Sequence, residues 1–430
     1  MLILLTAAAC ASDSGSETSS GSSEEDTSNE PEEVTLTFLI DGTKKMDGVY
    51  AVAEEIEKRF NIKTEFEVRP SGTEGDNLVK TRLATREMTD LMWYNSGSLF
   101  KALNPEEYFV DLSNEDFINR IEESFLDAVS VGDKVFGVPG QSSMGGGWLY
   151  NKKIYEELGL SIPKTWEELM ENNRIIKEAG IIPVIATFKD TWTAQIVLLA
   201  DYYNVHSELP SFAEDYTNNK AKFADTPIAR RGFEKLQELY ENDFMNDEVN
   251  ATSYDDGLRM LAEGQAVHYP MLTQALSAIN EMYPEVMDDI GIFGQPGDNP
   301  ENHGITLWMP SAIYISKDSE NIEAAKKWLE FFVSEDGMQI YMENMVAEGP
   351  YMIKGIELPE DSFVAVKEMQ QYLDEGKVAP ALEFLSPLKG PSLEQIMVEV
   401  GLGFISAAEG AEKYDKDVEK QAQQLGLEGW

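Results

Sequence analysis

A chain of 430 residues with 42% hydrophobic and 10% aromatic residues has enough apolar surface for two or three domains and is not a disordered chain. Asp and Glu number 78 against 34 Lys and Arg, a net charge of -44, and a field of that sign repels nucleic acid and anionic lipid. Strong acidity also serves solvation alone, so the charge excludes partners more firmly than it selects one.

The single cysteine excludes internal disulfides and multi-cysteine metal or iron–sulfur frameworks. Cys10 follows the short apolar run Leu2-Ile3-Leu4-Leu5-Thr6-Ala7-Ala8-Ala9, which is too short to span a bilayer. Residues 11–33 form a Ser, Gly and acid stretch that reads as a flexible tether. Apolar run, small residues, cysteine and tether, in that order, resemble a bacterial lipoprotein signal. The resemblance implies cleavage before Cys10 and lipid attachment to it. No Lys or Arg precedes the run and Ala7 stands where such signals usually carry Leu, so a start upstream of Met1 is expected.

From Val34 the chain alternates strand and helix. Residues 34–40 are β-branched and apolar and close on Asp41-Gly42, which predicts a buried strand and a turn. Val49, Val52, Ala53, Ile56 and Phe60 recur at spacings of three and four and predict a helix over 47–60. A strand over 63–68, a helix over 78–86 and a strand over 90–94 complete a βαβαβ unit. That unit implies a mainly parallel sheet with ligands at the carboxyl ends of its strands, so the loops at Asp41 and Tyr94 become candidate site walls. Gly132-Asp133 between two short apolar runs predicts a hairpin. Residues 140–147 read as a loop, where Gly145-Gly146-Gly147 suits a hinge or crossover; no Gly-Lys-Ser/Thr follows to make a phosphate cradle. Ile154, Tyr155 and Leu158 predict a helix stopped at Gly159, and Thr165 to Glu168 is a capping box opening a helix that ends near Gly180. Further strands are expected over 181–187 and 266–269, an amphipathic helix over 322–332, and helix from Leu393 to the C-terminus. No repeat is visible.

Three stretches then become recognisable: Gly132-Asp133-Lys134-Val135-Phe136-Gly137-Val138-Pro139, Leu149-Tyr150-Asn151-Lys152-Lys153-Ile154-Tyr155, and Pro163-Lys164-Thr165-Trp166-Glu167-Glu168-Leu169. In this order they resemble the extracellular solute-binding proteins of ABC importers, with the maltose and oligosaccharide-binding branch nearest in kind. Leu261-Ala262-Glu263-Gly264-Gln265-Ala266-Val267 and Ala324-Ala325-Lys326-Lys327-Trp328-Leu329-Glu330-Phe331-Phe332 agree, so the likeness covers nearly all of the chain from Val34. It implies an α/β fold of the periplasmic-binding-protein type II kind, with two lobes joined by three hinge crossings near 140–147, 303–310 and 349–355. Lobe one would comprise 34–140 and 311–349, and lobe two 148–303 and 356–430. The ligand would lie in the cleft and pass to the transmembrane permease subunits of the importer. The protein would be a monomer on the extracellular face, held to the membrane by its lipid anchor only, with no cofactor, metal or nucleic acid.

Sugars are held by rings stacked on their C–H faces and by carboxylates, amides and Lys on their hydroxyls. By resemblance, Asp41 and Lys44 correspond to polar sugar contacts, Trp93 or Tyr94 to a stacking ring, and Asp190 with Trp192 to an acid and aromatic pair in the second lobe. Tyr269, with Met271 or Thr273, lies where another ring is common, and Trp148 and Trp308 sit at crossings. An anionic ligand would need a cationic cluster, and no Arg cluster stands at the expected strand ends. A cationic solute such as a polyamine or quaternary amine would use the same rings and acids, and remains the alternative. A secreted glycosidase is less favoured, since carboxylate pairs mean little among 78 acids and no nucleophile elbow or zinc motif stands out. His206, His268 and His303 lack metal-ligand spacing.

Overall fold

The computed structural model describes residues 33–42, 45–70, 72–427 and 429–430. Cys10, the tether through residue 32 and Lys44 lie outside the described residues. The strands in chain order are β1 (Val34–Asp41), β2 (Ile62–Arg69), β3 (Leu91–Tyr94), β4 (Ser130–Val131), β5 (Lys134–Val135), β6 (Gly137–Pro139) and β7 (Met144–Asn151). Then follow β8 (Ile182–Val184), β9 (Ala266–Leu272), β10 (Ile290–Gly294), β11 (Ile305–Trp308), β12 (Ala312–Ile315) and β13 (Val378–Pro380).

Two sheets organise the fold. The first runs β2-β1-β3-β12-β6 and the second β13-β11-β7-β9-β8, with β10 also paired to β7. The helix Asp47–Phe60 buries Val49, Val52, Ala53 and Ile56 on one face, as its spacing predicts, and carries Lys58 and Arg59 in its last turn, where they suit the helix dipole. It stops at Asn61, whose left-handed backbone (φ 55) returns its N–H to the Glu57 carbonyl. The chain then enters β2 in parallel with β1, from Val34 opposite Ile62 to Asp41 opposite Arg69.

The expected parallel arrangement holds for β2, β1 and β3 in the first sheet and for β8 with β9 and β11 with β13 in the second, but the other pairings are antiparallel. β12 lies antiparallel to both β3 and β6, and β7 is antiparallel to β9, β10 and β11. The reason lies in the connections. β6 and β7 are joined by residues 140–143, and β11 and β12 by 309–311, yet each pair divides between the two sheets. A strand arriving by so short a passage has no crossover helix to bring it back parallel. The passages touch: the Gly140 N–H donates to the Ser311 carbonyl at 2.9 Å, and the N–H and hydroxyl of Ser143 both donate to the Pro350 carbonyl at 2.9 and 2.8 Å.

Residues 144–147 are a correction to the loop expectation. They open β7, a strand with partners on both sides, and seven of its eight residues are buried. A Cβ on Gly146 would fall 2.2 Å from the Trp308 ring, and one on Gly147 would fall 2.5 Å from the Phe293 carbonyl oxygen. These glycines are therefore close-approach residues in a strand and not a torsional hinge. Likewise 305–308 of the expected crossing are strand β11. The expected strand over 181–187 is reduced to β8, and the C-terminal helix breaks into Leu393–Gly401 and Ala407–Gln424 around Gly403 at φ 69. The capping box at Thr165 and Glu168 forms as expected.

Aromatic packing fills both layers. Phe38 meets Trp328 edge-on at 5.4 Å and Phe100 stacks on Tyr314 at 4.2 Å, while Trp148 packs against Trp166, His268 and Phe293. His268 is fully buried, its Nδ1 3.0 Å from the Asn173 side-chain oxygen and its Nε2 2.7 Å from the Tyr155 hydroxyl. Burial pushes its pKa down from 6.5 to about 3, so the folded ring stays neutral while the unfolded ring takes a proton as pH falls below 6.5. Stability is therefore lost as pH falls through that window, by about 2–3 kcal/mol between pH 7 and pH 4.5 from this ring alone. Urea unfolding at the two pH values should show His268→Gln losing less stability than the parent by about that amount; equal losses would refute the assignment.

Candidate functional site

A cavity of about 520 Å³ opens between the layers of the two sheets. Lys45 and Asp47 contribute from the start of the helix after β1, and Asn344 from the end of the helix Glu335–Asn344. Facing them are Gln141, Met144 and the helix Gln274–Met282, with Gln274, Ser277 and Asn280 on the cavity side. Lys45 bridges the two walls through a 2.7 Å contact with Glu281, at 71% and 64% side-chain exposure, so solvent screens it and it holds the walls only weakly.

Beside this cavity lies a small apolar cluster. Ile196, Ala200, Leu272, Trp308 and Ala381 form its buried base, and the half-buried Met144, Trp192, Leu199 and Phe384 pack around it. Trp192 sits in the 3-10 turn Thr191–Gln195, and its ring lies 5.4 Å from Tyr254. Burial first, then Asp255 and Glu348, push the Tyr254 phenol up to about 12, so it remains a neutral hydroxyl at ordinary pH. Half-covered rings beside amides and hydroxyls make a surface suited to a polyhydroxylated molecule with apolar faces.

The residues expected at the site are distributed unevenly over this geometry. Asp41 ends β1 with its carboxylate 3.2 Å from the Arg69 guanidinium, its opposite number in the β1–β2 register. Arg69 lies 5.3 Å over the Tyr94 ring, and the Tyr94 hydroxyl donates to Asp76 at 2.9 Å. Trp93 and Tyr94 are each 1% exposed, so both lie in the core instead of offering an open face. β3 is an inner strand covered on both faces, and a Cβ on Gly140 would fall 2.6 Å from the Trp93 ring. Tyr269 is likewise 1% exposed, its hydroxyl 2.9 Å from that of Thr187. Met271 and Thr273 are buried, with the Thr273 hydroxyl accepting the Gly145 N–H at 2.9 Å. Trp148 is core. Asp190 accepts the Tyr254 N–H at 2.7 Å, and Trp308 forms the base of the cluster with little of its ring open. Trp192 is thus the expected ring that stays partly exposed.

Sequence reasoning missed Met144, Phe384, Gln141, Gln274 and Asn280. Met144 directly precedes the three glycines and Phe384 lies in the four-residue helix Leu382–Leu385, so neither carries a periodic signal. Among the described residues no group of three or more His, Cys, Asp or Glu could hold a metal, and no helix is long and apolar enough to cross a membrane.

Residues 41–339 match the family model described as bacterial extracellular solute-binding protein. The multiple sugar-binding protein of Streptococcus mutans is 24% identical over 342 residues, covering 78% of this chain and 79% of that protein. Among solved structures, the apo form of RafE from Streptococcus pneumoniae aligns with a TM-score of 0.78 at 21% identity, covering 91% of this chain and 98% of that one. RafE in complex with raffinose aligns with a TM-score of 0.72 at 21% identity, covering 90% and 100%. These likenesses establish the two-lobed solute-binding fold.

Proposed function

Because the chain belongs to the bacterial extracellular solute-binding proteins, we propose that it takes a neutral carbohydrate into the groove between its lobes and delivers it to the transmembrane subunits of an ABC importer. The observation that carries this reading is the half-buried Trp192 ring in an apolar cluster that shares Met144 with a cavity lined in part by amide and hydroxyl side chains. The names of the similar proteins, one a multiple sugar-binding protein and one bound to raffinose, support the same class of ligand. Two of the acids expected at the site are already engaged, Asp41 with Arg69 and Asp190 with the Tyr254 amide. The cavity itself carries Asp47, Glu281 and Glu348 beside Lys45, so a polyamine or quaternary amine, which needs carboxylates to face it, is the second reading. In the carbohydrate reading the protein is no enzyme and acts as a monomer. The passages 140–143 and 309–311, with the segment around Pro350, are its hinge, and a lipid on Cys10 holds it to the outer face of the membrane.

A thermal-shift screen tests the ligand class, because ligand at a hundred times its dissociation constant adds about 2.7 kcal/mol of stability. Mono- and oligosaccharides should raise Tm, and the bound sugar should be recovered intact after prolonged incubation. A rise with polyamines or betaines and none with sugars would replace the carbohydrate reading. Steady release of shorter sugars would point to hydrolysis.

A further inference from the structure

Another cavity, of about 380 Å³, lies beside the second sheet. Tyr150 lines it from near the far end of β7, the strand that Met144 opens, and Met144 lines the groove cavity. At the usual rise of a strand the two stand about 20 Å apart. Glu368 and Tyr372 contribute from the helix Val364–Asp374, His303 from the residues before β11, and Lys164 from the loop ahead of the Thr165 cap. Tyr150 is 5% exposed, and its hydroxyl has no hydrogen-bond partner among the described residues. Burial first, then Glu368 and Tyr372, push that phenol upward in pKa, so it keeps its proton. The Tyr372 hydroxyl accepts the Gly294 N–H at 3.2 Å, and its own proton has no acceptor among the described residues. Burial first pushes this phenol up to about 12. His303 is 8% exposed and its Nε2 is likewise unpartnered. Buried polar groups are ordinarily paired, so several unpaired in one wall point to a bound molecule.

We propose that this cavity is a second binding site, separate from the groove, and that it takes a small organic monocarboxylate. The open hydrogen-bonding capacity is donor capacity. Tyr150 and Tyr372 each offer an O–H, and the exposed Lys164 ammonium makes no ion pair among the described residues. The carboxylates in the wall are engaged: Glu368 pairs with Lys152 and accepts the Ile292 N–H at 2.8 Å, and Glu375 pairs with Lys377 at 2.7 Å. Two phenols and an ammonium match the two acceptor oxygens of a carboxylate. Ile162 and Ile292 line the same cavity and suit a short apolar body. Charge narrows the class. Lys152, Lys164 and Lys377 stand against Glu368 and Glu375, an excess of one cation that a monoanion balances and a dianion exceeds. The site does not depend on what the groove holds.

Calorimetric titration of the full chain with acetate, lactate, pyruvate and benzoate, beside the dianions sulfate and succinate, tests this. At least one monocarboxylate should bind with a Kd of about 1 mM or tighter, and both dianions should bind at least about tenfold weaker than it. Tyr150→Phe removes one hydroxyl and breaks no hydrogen bond among the described residues. It should weaken that monocarboxylate about tenfold. Lys164→Gln, at an exposed position, should weaken it about threefold. Neither variant should lower Tm, which separates lost binding from lost folding. Absence of binding by all four monocarboxylates overturns the proposal, and so does binding that stays within twofold of the parent in both variants. A dianion that binds as tightly as the best monocarboxylate overturns the choice of a singly charged ligand.

Discussion

Lys235→Met is expected to lower stability by about 3–5 kcal/mol, because it leaves a buried carboxylate without its cation. The side chains of Lys235 and Asp201 are 0% and 1% exposed and form an ion pair. The Lys235 ammonium also donates to the Pro296 carbonyl at 2.7 Å and stands 5.5 Å from the Trp166 ring. Asn204 donates to the same carboxylate at 2.8 Å. Burial pushes the Asp201 carboxyl upward in pKa, and Lys235 is the main opposing influence. Removing the cation therefore forces either an uncompensated charge or an uptake of a proton, and both cost stability. The pair matters to the site because Asp201 directly follows the helix Ile196–Ala200, which the Trp192 turn leads into. Thr306 on β11 closes the link, its hydroxyl donating to the Ala200 carbonyl at 2.7 Å. Chemical denaturation at neutral pH reads the loss; one below about 1 kcal/mol would mean that the pair holds little. Removing both charges together, as Lys235→Met with Asp201→Leu, should cost less than the single change, since an apolar pair has no charge left to strand.

Features decided by neighbours in sequence were legible in it. The capping box at Thr165 needs only Glu168, and the stop at Gly159 needs only the left-handed backbone (φ 64) that glycine permits. The helix over 47–60 was readable from its own spacing. What escaped was set by partners far along the chain. Gly145 to Gly147 look like a loop until Trp308 and Phe293 are laid against them. Asp41 looks like a free sugar ligand until the β1–β2 register brings Arg69 opposite it. Trp93 and Tyr94 sit at a strand end in sequence, yet β12 and the Gly140 passage cover them from more than forty residues away. A strand end marks where a side chain starts, not which face of the sheet another segment will close. The rings of the cluster that stay partly exposed, Trp192 and Phe384, come from a 3-10 turn and a four-residue helix, where neither period 2 nor period 3.6 exists to announce them.

Trp192→Ala is expected to weaken sugar binding at least about tenfold while leaving both lobes folded. The ring is half-buried against Tyr254 and the apolar cluster, so part of its surface is already covered and the remainder is what a ligand would cover. Full burial of a large apolar side chain is worth roughly 1.5–3 kcal/mol, and losing even half of the upper value on the ligand side approaches the 1.4 kcal/mol that a tenfold change in Kd represents. Trp148→Ala supplies the contrast. That ring is 0% exposed, and its indole N–H donates to Gln295, so its truncation should cost about 3–5 kcal/mol of stability by opening a cavity. Calorimetric titration and denaturation of both variants separate the roles, because a ligand-facing ring moves Kd more than stability and a core ring does the reverse. A Trp192→Ala protein that binds its sugar within twofold of the parent would remove this ring from the site, and the groove would then have to hold its ligand through Phe384 and the amides alone.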